Sequence, residues 1–208
     1  MKIMIKYLLV FITLTIGSQV QADDSQFAQL FLPKGVSMMV PKNWWVLTEN
    51  SNESIATMAE ASLHLAGIEI PPNKETVLFR ANTKPGTSYA AVSVTATDAE
   101  FTSEDLSAAS KEELNELTIS IKESMLKVLA QSNQIFQSFD PLEVVEINGH
   151  TALKMSFCRT GLKGDVKVVL LRIPIKDKEI AVHTSYWVSG EGLLKPVTDY
   201  MRTTIKIN

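Results

Sequence analysis

The chain has 208 residues, of which 45% are hydrophobic and 21% are charged, and its formal net charge at pH 7 is −3. This length suits one domain whose core is stable without covalent cross-links. Cys158 is the only cysteine, which excludes a disulfide within the chain. The mildly acidic balance, without a basic run, argues against nucleic acid or an anionic membrane as the main partner.

The first 22 residues have the pattern of a cleavable secretory signal. Lys2 and Lys6 give a positive start, residues 7–16 are uncharged and mostly apolar, and the sequence VQA at 20–22 suits a cleavage site. The apolar run is too short for a membrane span of about 20 residues. We therefore expect a signal peptide over 1–22 and a soluble mature protein in the periplasm, with full secretion as the alternative.

The remainder, 23–208, is expected to form a single α/β domain with an ordered core at about 28–206. Its first half alternates short extended runs with turn residues such as Pro41 and Pro85. The elements predicted there are, in order, a hairpin of 35–40 and 44–48, a helix over 53–66, and paired strands at 76–82 and 88–97.

The second half begins with the clearest helical pattern of the chain. Ser110 and Glu113 fit a capping box, and the apolar stripe that follows is formed by Leu114, Leu117, Ile121, Met125 and Val128. Asn148-Gly149 then predicts a type I′ hairpin turn. The elements predicted in this half are a helix over 111–130, a meander of strands at 134–147, 150–159, 165–174 and 179–188, a helix around 195–203 that begins near Pro196, and an extended tail over 205–208.

Hairpins imply an antiparallel sheet, and three helices need a surface on which to bury their apolar stripes. Several strands have apolar or small residues on both alternate faces, which favours helices on both sides of the sheet. The sequence therefore predicts an α+β fold, an antiparallel β-sheet with helices on both faces in an α/β/α sandwich.

Three features of this pattern resemble the PsbP-like family. They are the stretch LPKGVSMMVPKNW at 32–44, the INGHTA hairpin at 147–152, and the short helix after the last long strand. The family includes an extrinsic subunit of photosystem II, a Ran-binding nuclear-import factor with the same fold, and exported bacterial proteins. The resemblance covers about 28–206 and implies a scaffold used mostly for protein binding, with no catalytic residue to carry over.

The residues with reactive side chains do not form a recognisable catalytic motif. His64, His150 and His183 are too widely spaced for a typical zinc site, so no metal or cofactor is predicted. His64 suits the carboxyl end of a helix, and His150 is expected in solvent after its turn. Cys158 has no evident base beside it and is expected to be a small buried thiol.

Two apolar pairs are the candidate partner-binding residues, Trp44 with Trp45 and Leu193 with Leu194. Adjacent strand residues face opposite sides, so a sheet covered on both faces can bury both tryptophans. The open alternative is that one is exposed and available to anchor a partner. These residues support an exported, non-enzymatic binding or accessory protein that acts through contacts with an unknown protein of the cell envelope.

An alternative site lies in the last long strand, where His183, Ser185 and Trp187 share one face. A cleft there would make the protein a small-ligand carrier or a hydrolase. A third possibility, a factor secreted to act on a host or a competitor, rests on the signal peptide alone.

Overall fold

The computed structural model describes residues 24–47, 76–83, 89–131, 134–161 and 163–208. The signal segment 1–22, the helix predicted over 53–66 and His64 lie outside these ranges. The described strands are β1 (Phe27–Phe31), β2 (Val36–Pro41), β3 (Trp45–Val46), β4 (Thr76–Asn82), β5 (Ala90–Asp98), β6 (Phe136–Phe139), β7 (Glu143–Ile147), β8 (His150–Gly161), β9 (Gly164–Ile175), β10 (Lys178–Trp187) and β11 (Lys206–Ile207). The described α-helices are α1 (Ser103–Ala108), α2 (Lys111–Gln131) and α3 (Glu191–Thr203).

The larger of two sheets runs in the order β3-β4-β5-β10-β9-β8-β6, with β7 also paired to β8, and its described pairings are antiparallel. This order confirms the predicted meander and the pairing of the strands predicted at 76–82 and 88–97. The strand predicted over 134–147 is divided into β6 and β7. Pro141 lies between them and has no N–H for a continuous ladder.

The hairpin predicted from 35–40 and 44–48 is wrong. β2 pairs on one side with β1 and on the other with β11, so both of its edges are occupied. The chain turns after β2, where the N–H of Trp44 donates to the carbonyl of Pro41 at 3.1 Å. It then enters the larger sheet, where Trp45 lies opposite Asn82 of β4. The extended tail predicted at the carboxyl end is confirmed as β11.

Helices cover both faces of the larger sheet, which confirms the predicted architecture. On one face, α1 and α2 pack against Leu153 and Phe157. On the other face, α3 and β2 share a core with Val182. Among the described residues, no helix is both long enough and apolar enough to cross a membrane.

The capping box at the start of α2 is confirmed, because the Ser110 N–H donates to Glu113 at 2.8 Å and the Glu113 N–H donates back to Ser110 at 3.2 Å. Leu117 was predicted to lie on the buried apolar stripe, but it is 40% exposed. Thr118 instead contacts the residue before β7, since its hydroxyl accepts the N–H of Leu142 at 3.1 Å. The short helix α1 was not predicted, although Thr102 and Asp105 form a second capping box.

The last helix begins earlier than predicted. α3 starts at Glu191, so Pro196 lies in its second turn and not in its first. Leu194, which is 8% exposed, joins the core of the larger sheet. Burial of this side chain stabilises the extra turn, because about 2 kcal/mol is gained when a leucine leaves water.

The Asn148-Gly149 turn has the predicted conformation, with φ of 50° and 83°, as a type I′ turn requires. The Asn148 side chain also donates to the carbonyl of Thr203 at 2.8 Å and to that of Ile205 at 2.5 Å. The turn therefore fixes the end of α3 and the start of the tail. His150 was expected in solvent, but it is half-buried, and its Nε2 lies 3.2 Å from the Ile207 carbonyl oxygen.

Replacement of Asn148 by glycine should separate these two roles of the turn. Glycine keeps the positive φ but loses both side-chain hydrogen bonds, so the free energy of unfolding should fall by about 1–3 kcal/mol. Lys176→Gly is the matched control, because Lys176 also has a positive φ, 57°, at an exposed turn. That variant should be neutral or more stable by up to about 1 kcal/mol. Equal losses in urea unfolding of both variants would contradict the account.

Candidate functional site

Helix α3 lies between two clefts of different chemistry. Leu194, Thr198 and Met201 face the sheet and are buried. The flank that carries Leu193 and Val197 lines an apolar cleft, which we call the uncharged groove. The other flank, which carries Glu191, Lys195, Asp199 and Arg202, lines a larger cleft that we call the charged cleft.

The uncharged groove has a volume of about 430 Å³. Its apolar walls come from the start of β1, the end of β2, the turn after it and the first turns of α3: Phe27, Pro41, Trp44, Leu193, Leu194 and Val197. None of the described residues that line it is charged, and its polar side chains are those of Gln26, Asn43 and Thr83. The groove can therefore accept apolar groups without removing a charge from water.

Three of the four predicted partner-binding residues meet in this groove. Trp44 and Leu194 are 9% and 8% exposed and form its base, whereas Leu193 is 75% exposed at its rim. Gly190 allows the close approach of Leu194, because a Cβ at position 190 would lie 2.8 Å from Cδ1 of Leu194. The sequence pattern alone does not connect Trp44 with Leu193 and Leu194, which lie about 150 positions further along the chain.

Trp45 lies on the opposite face of the larger sheet, where it is 49% exposed beside Asn82. The sequence left open whether both tryptophans are buried, and the structure buries Trp44 alone. Val46, opposite Ala81, is 57% exposed. This valine was not singled out from the sequence, although alternation with Trp45 places it on the same face as Trp44.

The charged cleft has a volume of about 620 Å³ and lies between α3 and strands β7 to β10. Its charged residues come from the sheet, the loop before β7 and α3: Asp140, Lys154, Lys167, Glu191, Lys195, Asp199 and Arg202. Sequence reasoning did not find this site. The available signal was the repeat of charged residues at four-residue spacing along α3, beginning at Glu191.

Each carboxylate at the two ends of this cleft has more than one donor. Asp140 accepts hydrogen bonds from Ser156 and Lys167, both at 2.6 Å. Asp199 pairs with Arg202 and, at 2.7 Å, with Lys195. The Arg202 side chain is only 11% exposed and also donates to Thr184.

Local contacts shift the pKa of two groups that line the charged cleft, Asp140 and Tyr186. Partial burial alone would raise the pKa of Asp140, but the donors Lys167 and Ser156 lower it below its usual value. Burial, and then the nearby Glu191 carboxylate, raises the pKa of Tyr186 far above its usual value. Its hydroxyl therefore stays protonated and donates to Glu191 at 3.2 Å.

The alternative ligand residues His183, Ser185 and Trp187 do share one face of β10, as predicted, since they lie opposite alternate residues of β9. They differ in environment, with His183 exposed and Ser185 buried. Trp187 packs against Tyr89 with ring centroids 5.8 Å apart. None of the three lines the uncharged groove or the charged cleft.

The remaining candidates show no activated group. Burial, and then the nearby Asp165, raises the pKa of the Cys158 thiol, which disfavours the thiolate that reactive cysteines need. Within the described parts of the chain, no group of three or more His, Cys, Asp or Glu side chains is placed to hold a metal ion.

The lowered pKa of Asp140 predicts a pH-dependent contribution to stability. A carboxyl whose pKa is lower in the folded state than in the unfolded state stabilises the fold when the pH is above the unfolded-state pKa, here 3.8. This stabilisation is lost as the pH falls through the lower pKa of the folded state. Asp140→Asn should therefore lower the free energy of unfolding at about pH 6, and the difference from wild type should shrink towards about pH 2.5. Urea unfolding at the two pH values measures this, and an unchanged difference would contradict it.

Comparison with known proteins establishes the fold. No protein-family model matches the chain, and no curated protein matches it by sequence. The structure of cyanobacterial PsbP (CyanoP) from Synechocystis sp. PCC 6803 is similar with a TM-score of 0.53 and 10% identity, over 93% of this chain and 99% of that one. LpqN of Mycobacterium tuberculosis, described as involved in cell envelope biogenesis, gives a TM-score of 0.46 and 11% identity, over 88% and 91% of the two chains. The similarity to CyanoP shows that this chain has a PsbP-like α+β fold.

Proposed function

We propose that the chain is an exported, non-enzymatic accessory protein that binds a protein partner through the uncharged groove. The observation that carries the proposal is the convergence of Trp44, Leu193 and Leu194 on one cleft whose described lining has no charge. The occupant is one or two aliphatic or aromatic side chains of a partner protein. The PsbP-like fold adds support by analogy of scaffold only.

The composition of the groove matches the centre of a protein interface. Such centres are depleted of charged residues and enriched in aromatic ones, and they are surrounded by polar groups. Here the indole of Trp44 forms part of the base, while Gln26 and Asn43 supply neutral polar groups. The charged cleft on the other flank of α3 has the opposite composition, so α3 presents one flank suited to apolar contact.

Exposure of Leu193 is the feature that folding does not explain. Its side chain is 75% exposed, so it contributes little to the core. A partner that covers it would gain about 2 kcal/mol from its removal from water. Trp45 and Val46, at the adjacent edge of the larger sheet, are additional contacts for a partner that extends around that edge.

The proposed compartment follows from the segment 1–22, which has the pattern of a cleavable signal. Export would leave a mature protein over 23–208 as a single domain outside the cytoplasm, with the periplasm as the preferred location. The partner is then a protein of the cell envelope. Cell fractionation with an antibody against the folded part tests this location independently of any binding assay.

Site-specific photo-cross-linking tests the groove in cells that express the full chain. A benzophenone amino acid at position 193 should give one discrete adduct with a protein of the envelope, because this side chain is 75% exposed at the rim. The matched control is position 119, where Ile119 is 58% exposed on the helix that covers the opposite face. An adduct at position 119 with none at 193 would overturn the assignment of the surface.

Affinity for the identified partner then measures the contribution of the groove. Leu193→Ser should weaken binding at least tenfold, while it changes the free energy of unfolding by less than about 0.5 kcal/mol. Leu194→Ala is the contrasting variant, which should lose about 2–5 kcal/mol of stability because it empties a core position. A folded Leu193→Ser protein with wild-type affinity would exclude the groove as the contact surface.

A further inference from the structure

The charged cleft is open to solvent and lies between α3 and the sheet. Its volume is about 620 Å³. This volume lies within the range of sites for small molecules, about 300–1,000 Å³.

Basic groups reach this opening from two sides. Lys154 and Lys167 belong to adjacent strands β8 and β9, and Lys195 and Arg202 belong to α3. On the helix wall, Lys195 and Arg202 share the single carboxylate of Asp199. Glu191 also lines this wall and accepts a hydrogen bond from the hydroxyl of Tyr186 at 3.2 Å, so the charges of the helix wall balance. The net positive charge of the cleft lining therefore comes from the sheet wall.

Among the residues that line the cleft, the sheet wall has two lysines and one carboxylate. Lys167 pairs with Asp140, while the partner of Lys154 is Glu143, which is 55% exposed and does not line the cleft. Because water surrounds much of the Glu143 carboxylate, this carboxylate offsets only part of the attraction between Lys154 and a ligand anion. The side chains of Lys167 and Lys154 are themselves 23% and 36% exposed, so an anion between the walls would meet partly desolvated cations.

Apolar side chains lie among these charges. Val145, Ile147, Val169 and Leu171 of the sheet all line the cleft. Val145 and Ile147 are only half-buried, so a simple inorganic anion would leave them in contact with water, whereas a molecule with an apolar body would cover them. The lining therefore matches a ligand that joins an acidic group to an apolar frame.

We propose that the charged cleft is a binding site for a small organic anion, one carboxylate or similarly charged group on an apolar body, held by Lys154, Lys167, Lys195 and Arg202. This site is separate from the uncharged groove and does not rest on the protein-binding proposal. It also differs in place from the cleft predicted near His183.

Two fluorescent probes that share one apolar body test the proposal. The first is 8-anilinonaphthalene-1-sulfonate, an anion, and the second is N-phenyl-1-naphthylamine, which lacks the sulfonate. The purified protein should bind the anion at least tenfold more tightly than the neutral probe, and added sodium sulfate should compete only weakly, because the body contributes to binding. Equal affinity for both probes would overturn the proposal.

Variants place the probe in the cleft. Lys154→Gln with Lys195→Gln should weaken binding of the anionic probe about tenfold and leave the neutral probe unchanged. Both lysines form ion pairs that are only partly buried, and such pairs contribute little to stability, so the protein should remain folded. Lys111→Gln with Lys206→Gln is the control of equal charge change, at two exposed positions outside the cleft.

A third variant distinguishes the two clefts. Leu193→Ser alters the uncharged groove and should leave the affinity for the anionic probe unchanged. If Leu193→Ser reduces this affinity and the Lys154/Lys195 variant does not, the probe binds in the groove, and the anion site is refuted while the protein-binding proposal stands. An equal loss in the Lys111/Lys206 control would show only a general charge effect and would also refute the site.

Discussion

The docking of α3 on the larger sheet is the interaction on which the rest of the structure depends. Met201 and Thr198 are 0% exposed beneath the helix, and Met201 shares a core with Val182 of β10 and Met38 of β2. The same helix therefore holds the smaller sheet against the larger one. Its ring contact between Tyr200 and Phe27, 4.7 Å between centroids, extends this core to β1. Because a helix has two flanks beside its buried stripe, docking α3 creates one wall of each cleft.

Local signals in the sequence were sufficient for most of the elements. The Asn148-Gly149 turn, the Ser110 capping box and the strand alternation each depend on residues a few positions apart, and each is present in the structure. Which strands pair with one another was harder to predict from the sequence. Pro41 correctly marked the end of β2, but the sequence near it does not show that β1 and β11 occupy both edges of that strand. The start of α3 was placed too late because burial of Leu194 outweighed the usual position of proline.

The candidate sites depended on contacts between distant parts of the chain. Trp44 and Leu193 were each selected as apolar residues near a loop, and only the fold shows that they share a groove while Trp45 faces away. The charged cleft was missed for the same reason, because the charged repeat along α3 indicates a polar flank but not which strand residues meet it. Its basic groups come from β8, β9 and α3, and a lysine on a strand ordinarily indicates a solvated face. The opening between helix and sheet, which makes these charges converge, is a property of packing and has no local pattern.

Residue-resolved amide hydrogen exchange under native conditions tests the central role of α3 most directly. If α3 belongs to the same core as the sheet, its amides near Thr198 and Met201 should open with the same free energy as those of β10 near Val182. Opening of α3 at a free energy lower by about 2 kcal/mol or more, with β10 still protected, would contradict the account. The helix would then be a separable element, and neither cleft would have a fixed wall.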